Sequence, residues 1–91
     1  MYTKLTLEIS HAAEKDLQGI WRRNADSSHQ AAGQITQKLA HKIFTLEYLA
    51  HQYPEVPESE RFGLPYRQLD CDKYQVLFQV DKKHVQVLRI L

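Results

Sequence analysis

The side chains with the widest chemical reach in this 91-residue sequence are five histidines, one cysteine and several arginines set among apolar neighbours. His11, His29, His41, His51 and His84 include no pair three or four residues apart, and no second cysteine completes a zinc set. No metal site is expected. Cys71 stands between Asp70 and Asp72, negative neighbours that oppose a thiolate nucleophile, so it reads as a turn residue. The sequence has neither a glycine-rich phosphate loop nor a Gly-x-Ser-x-Gly elbow. No cofactor is expected.

The arginines of the last third are more informative. Arg67 opens a run headed for a core, and Arg89 interrupts Val87-Leu88 and Ile90-Leu91. A guanidinium in such company must face solvent, a carboxylate or a ligand. One reading pairs each arginine with an acid such as Asp70 or Asp81. The other makes them a cationic binding patch on a sheet face, with Lys73 and Tyr74 at its margin.

These residues need elements to position them. Leu5, Leu7 and Ile9 alternate with Lys4, Thr6 and Glu8, the period of a half-buried strand. Ser10 then stands as a helix N-cap, with Glu14 and Asp16 near the positive end of the dipole. Ala13, Leu17, Ile20 and Trp21 recur at helical spacing, giving a first helix over residues 11–24 and a polar turn from Asn24 to Ser28. Ala32, Ile35, Leu39, Ile43, Leu46, Leu49 and Tyr53 predict one long second helix ended by Pro54. Gly33 inside it costs about 1 kcal/mol relative to Ala, or admits a close helix neighbour.

A solvated loop is expected from Pro54 to Pro65, with Gly63 and the acids Glu55, Glu58 and Glu60. Three strand-like runs follow, Tyr66–Asp70, Tyr74–Val80 and His84–Leu91, separated by turns short enough for hairpins. The expected fold is α+β: strand, helix, helix and three strands, with a helical hairpin packed on one face of an antiparallel sheet. One domain spans residues 1–91.

Composition excludes several function classes. Lys plus Arg number 12 against 11 Asp plus Glu, for a net charge of +1. The sequence pI of 7.9 lies below the ~9 usual for a domain living on nucleic-acid phosphates. A lone cysteine forms no internal disulfide and suits a reducing compartment. The alternating first residues are unlike a signal peptide, and no apolar run approaches the ~18 residues of a membrane span. A cytoplasmic location without membrane contact is expected.

Three motifs in order carry a resemblance. The first is Ile9-Ser10-x-x-Ala13-x-x-Asp16-Leu17-x-x-Ile20, and the second Tyr66-Arg67-x-Leu69. The third joins Tyr74-x-Val76-Leu77-Phe78-x-Val80-Asp81 to Val85-x-Val87-Leu88-Arg89-Ile90-Leu91. With these the sequence resembles the RelE/ParE superfamily of bacterial type II toxin–antitoxin toxins, associated with plasmid stabilisation, and the implied fold is the one read from periodicity. A shorter match, Arg23-Asn24 followed by His29, is similar to the spacing of HEPN-type ribonucleases, but that family is all-helical and the last third here is not.

The departures from the superfamily point to a branch. RelE-like members cut ribosome-bound mRNA with basic residues on the sheet. Here Asp70 falls where that branch carries a catalytic arginine, and Gln75 and Gln79 stand at usually basic positions. The sequence ends at Leu91, before the tail where a His and further arginines follow in that branch. Cations stabilise the charge of a pentavalent phosphorane, so an Asp there reverses the sign of the effect. The resemblance therefore implies a ParE-like toxin that acts on DNA gyrase without catalysis of its own and is neutralised by a cognate antitoxin. It implies assembly as a homodimer or as a hetero-oligomer with that antitoxin. It also places Arg67 at the start of a core strand, which leans it towards a structural role, and Arg89 beside the family's functional tail, which leans it towards binding. The alternatives are a ribosome-dependent mRNA endoribonuclease and an inactive member that only binds antitoxin.

Overall fold

The computed structural model describes residues 3–57, 59–62 and 65–91, apart from the side chains of Glu60 and Phe62. Met1 and Tyr2 of the opening alternation, and Glu58 and Gly63 of the expected loop, lie outside the described residues.

Strand β1 is short, Thr6–Ile9, because Ser10 ends it by capping a helix. The Ser10 hydroxyl accepts the Ala13 N–H at 3.0 Å and donates to Leu88 O at 2.7 Å, so one side chain serves both the helix start and strand β4 (His84–Ile90). Helix α1 runs His11–Ala25, with Glu14 in the first turn and Arg22 and Arg23 in the last, as the helix dipole favours. Ser28 caps α2 (His29–Phe44) by accepting the Ala31 N–H at 3.1 Å.

The second helix is not one rod to Tyr53. It tightens at Thr45, whose N–H bonds Lys42 O three residues back at 3.2 Å, while Tyr48 N–H bonds Thr45 O at 3.1 Å. The Thr45 hydroxyl also donates to Lys42 O. Such back-bonding favours the tighter 3-10 winding, which advances side chains further round the axis per residue. A separate turn, α3 (Leu46–Leu49), and a 3-10 turn (Ala50–Gln52) follow. Leu46 and Ala50 stay in the core, whereas Phe44 and Tyr48 are 57% and 50% exposed.

The other strands are β2 (Arg67–Cys71) and β3 (Tyr74–Val80), and the sheet order is β1-β4-β3-β2. The β2–β3 and β3–β4 pairs are antiparallel, as the hairpin turns predict. Strand β1 departs from the expected all-antiparallel sheet and pairs parallel to β4, in register from Thr6↔His84 to Ile9↔Val87. The cause is topological. After the two helices the chain comes back alongside β2, with Glu55 bridged antiparallel to Arg67, and so enters β2 in the direction of β1. Two hairpins later β4 has that same direction. Ser59, fully buried, anchors this return by donating to Val56 O at 2.8 Å and accepting the Tyr66 N–H at 3.0 Å, so the segment is no purely solvated loop.

Alternate residues of the strands build the core: Leu69 and Cys71 on β2, Tyr74, Val76 and Phe78 on β3, and Val85, Val87 and Ile90 on β4. Ala13 and Ile20 of α1, and Leu39 and Ile43 of α2, close it from above. Cys71 is thus a core strand residue and not a turn residue, because Asp72 and Lys73 alone make the turn. Asp72 has a φ of 55°, a left-handed conformation that Asp tolerates better than most residues. Its carboxylate pairs with Lys38 of α2 at 2.9 Å.

The other face of the sheet is uncovered. The molecule measures 39 × 32 × 21 Å, with a radius of gyration of 13.6 Å against about 12 Å for a compact chain of this length. Its accessible surface of 6354 Å² exceeds the ~5,500 Å² that size scaling gives.

Gly33 carries no such constraint, because a Cβ built there meets nothing within 4 Å. No close helix approach needs it. Gly33→Ala is expected to stabilise the fold by ~0.5–1 kcal/mol through lower unfolded-state entropy, measured as a higher urea midpoint at unchanged m.

Candidate functional site

Strand β1 pairs with β4 only as far as Val87, which leaves the last residues of β4 without a neighbour strand on that side. Residues of the β1–α1 corner take its place. Ser10 N–H donates to Val87 O at 2.9 Å, and the Ser10 hydroxyl bonds Leu88 O as above. Asp16, on the next turn of α1, accepts the Ile90 N–H at 2.9 Å. The same carboxylate accepts Arg89 Nε at 2.7 Å and Arg89 Nη2 at 3.0 Å, a two-pronged pair. Arg89 is therefore a paired cation that clamps β4 to α1, with half of its side chain still exposed. The Arg89 hydrogen bonds hold the Asp16 carboxyl below its ordinary value, helped by the Ile90 N–H and opposed by burial. Asp16 in turn raises Arg89.

Arg67 lies on the opposite face. It stands across from the buried Phe78, and residues directly opposed in a ladder share a face. Its Nη1 donates to Tyr53 O, and its Nη2 lies 3.6 Å from Glu55. Arg67 thus fastens the chain after α3 to the edge of the sheet. Neither Asp70 nor Asp81 is its partner. Asp70 accepts from Gln68 Nε2 at 2.8 Å, and Asp81 accepts the N–H groups of Lys83 and His84 at 2.8 and 2.7 Å. Those two N–H groups hold the Asp81 carboxyl below its ordinary value.

Tyr74 is a core residue, 7% exposed, whose hydroxyl accepts Asn24 Nδ2 at 3.1 Å. Lys73 is exposed in the turn, and its ammonium lies 5.6 Å from the Tyr74 ring centroid. Lys73 and Tyr74 are brought together, but Arg67 and Arg89 are on different faces, so the four make no single patch. The remaining ribonuclease-like spacing also dissolves: Asn24 binds Ile20 O and Tyr74, and the His29 ring packs edge-on to Trp21 at 5.5 Å.

Two other surfaces come from the fold. Register places Thr6, Glu8, Gln68, Asp70, Gln75, Leu77, Gln79, His84, Gln86 and Arg89 on the uncovered sheet face. Among these residues only His84 and Arg89 can carry positive charge. The free edge of β1 borders a cleft of about 490 Å³ lined by Lys4, Leu5, Thr6, Leu7, Phe44 and Glu47. Leu5 N–H donates to Glu47 O at 2.8 Å there, and Lys4 lies 3.6 Å from the Glu47 carboxylate. Leu77 lies on the sheet face and outside this cleft.

The Asp16 clamp makes stability pH-dependent. A carboxyl lowered in the folded state contributes stability above its ordinary value of 3.8 and loses it as pH falls through the folded value. Asp16→Asn is expected to lower stability at pH 7 by ~1–2 kcal/mol, discounted for the exposure of Arg89, and to flatten the decline below pH ~4. Asp81 contributes with the same sign, so the flattening is partial. Urea titrations of both proteins from pH 2.5 to 7 measure the difference, and parallel curves would remove the clamp from the account.

Comparison with known proteins places this arrangement. A chain of the chromosomal ParDE TA system from P. aeruginosa superposes with a TM-score of 0.78 at 23% sequence identity, covering 96% of this chain and 94% of that one, and so shares the fold. Among curated proteins no match is found. The family described as ParE toxin of type II toxin-antitoxin system, parDE, matches residues 7–91, from β1 through the clamp to the last residue. The chain belongs to the ParE toxin family of type II toxin–antitoxin systems.

Proposed function

We propose that this toxin acts on DNA gyrase in the cytoplasm, without catalysis of its own, and is neutralised by a cognate protein antitoxin. The observation that carries the choice of target is the chemistry of the uncovered sheet face. Gln68, Gln75, Gln79 and Gln86 occupy it with the acids Glu8 and Asp70, and its arginine, Arg89, is already held by Asp16. A ribonuclease needs cations there to stabilise a phosphorane, and carboxylates repel the substrate's phosphates.

The β1-edge cleft suits the antitoxin. It offers an unpaired strand edge beside the exposed rings of Phe44 and Tyr48, and a segment that folds on binding covers such a surface well. Lys73 and the exposed half of Arg89 remain candidate contacts to gyrase. Arg67 and Tyr74 contribute by holding β2 and the β2–β3 turn in place. The toxin assembles as a hetero-oligomer with its antitoxin, with a homodimer as the alternative.

Two experiments follow. Induced expression of the chain is expected to stop growth, raise the SOS response and alter plasmid topology; codon-specific mRNA cuts on ribosomes without those effects would make it a ribonuclease instead. Binding to the protein encoded by the neighbouring small reading frame, measured by calorimetry, is expected to weaken at least ~30-fold in a Phe44→Ala/Tyr48→Ala variant. Both rings are exposed, so the melting temperature changes little, and unchanged affinity would place the antitoxin elsewhere.

A further inference from the structure

We propose that the uncovered sheet face is a second protein-docking surface, distinct from the β1-edge cleft, that takes an extended segment carrying an arginine two residues from an apolar side chain. Glu8, Gln86 and Gln79 stand in one row across β1, β4 and β3. That row floors an open cavity of about 520 Å³, whose wall includes Asp81 and His84. Glu8 is exposed and, among the described residues, makes no ion pair or side-chain hydrogen bond. Lys82 and Lys83 of the adjoining turn pair with neither Glu8 nor Asp81. The cavity therefore presents two carboxylates that no cation among the described residues neutralises fully, beside the side-chain amide of Gln86. A planar guanidinium, with five donors and a delocalised charge, matches such a set of acceptors better than an ammonium does.

The occupant is argued from spacing as well as charge. Along β3, Leu77 lies two residues from Gln79 on the same face, a separation of about 7 Å. Side chains two apart on an extended segment have that same separation, so an arginine seated over the Glu8 row places an apolar partner over Leu77. Leu91, which exchanges both backbone hydrogen bonds with Gln75 and is 55% exposed, continues the apolar strip. Arg89 borders it without repelling the incoming charge strongly, because Asp16 compensates it. A nucleic acid is disfavoured by the two carboxylates, and a free arginine would leave the strip uncovered.

The test uses the full chain, 15N-labelled, titrated with the peptide acetyl-Leu-Gly-Arg-amide. Saturable shifts are expected at the amides of Glu8, Leu77, Gln79, His84 and Gln86. Replacing the arginine by citrulline, its neutral isostere, is expected to weaken binding at least ~3-fold. Glu8→Gln is expected to reduce that difference, Asp81 remaining, while leaving the melting temperature unchanged. Citrulline binding equally well, shifts centred on Phe44 and Tyr48, or no saturation would each overturn the proposal. So would free arginine binding as tightly as the peptide, or a uridine oligonucleotide displacing it. None of these outcomes depends on whether gyrase is the target.

Discussion

The fold turns on the unequal length of two paired strands. β4 has seven residues and β1 four, so Val87 O, Leu88 O and Ile90 N–H face the side where β1 has already bent away. Leaving such groups unpaired where water is largely excluded costs about 1–3 kcal/mol each. The helix replaces the missing strand: Ser10 serves the two carbonyls and Asp16 the N–H. Because these partners are the N-cap and the second turn of α1, satisfying them fixes where the helix leaves the sheet. The direction of α1 then decides which residues of α2 reach the core. Arg89 is part of this arrangement, since its guanidinium holds the Asp16 carboxylate that must also receive the backbone.

What was legible in the sequence follows from what periodicity can report. Alternation at Tyr74, Val76 and Phe78 tells which side chains are buried, and all three are. The caps at Ser10 and Ser28 are local and were readable for the same reason. Partners distant in sequence were not. Asp16 looks like an acid placed for the helix dipole, and nothing near it announces that its mate lies 73 residues on. Arg67 shows the converse: its place in a core-directed run was legible from apolar neighbours, but its partner is Tyr53 O, a backbone carbonyl with no sequence signature. The break at Thr45 escaped because Leu46, Leu49 and Tyr53 keep near-helical spacing across it. A hydroxyl bonded back to Lys42 O changes the winding without changing that spacing. The parallel pairing of β1 depends on how the chain returns after the helices, which the buried Ser59 governs from an otherwise loop-like segment.

The two sides of the sheet divide the work. The covered side supplies stability through Phe78, Val76, Val85 and Val87 against the helices. The uncovered side is polar, close to neutral and rich in glutamine, and its lack of a covering layer fits an accessible surface larger than size alone requires. A sheet face exposed in this way is free to vary in charge, because no core packing depends on it.

That freedom is the physical basis for separating fold from target. The same strand–helix–helix–sheet scaffold can present arginines or glutamines on its open face with little effect on packing, so the fold alone does not choose between cutting RNA and binding a protein. The choice rests on whether positive charge is available at the surface. In this chain Arg67 is spent on the Tyr53 carbonyl and Glu55, Arg89 on Asp16, and Lys38 on Asp72. Cations committed to holding helices and turns against the sheet are largely withdrawn from phosphate chemistry. On the uncovered sheet face itself, what remains is a set of amides and carboxylates with Leu77, His84 and the exposed half of Arg89.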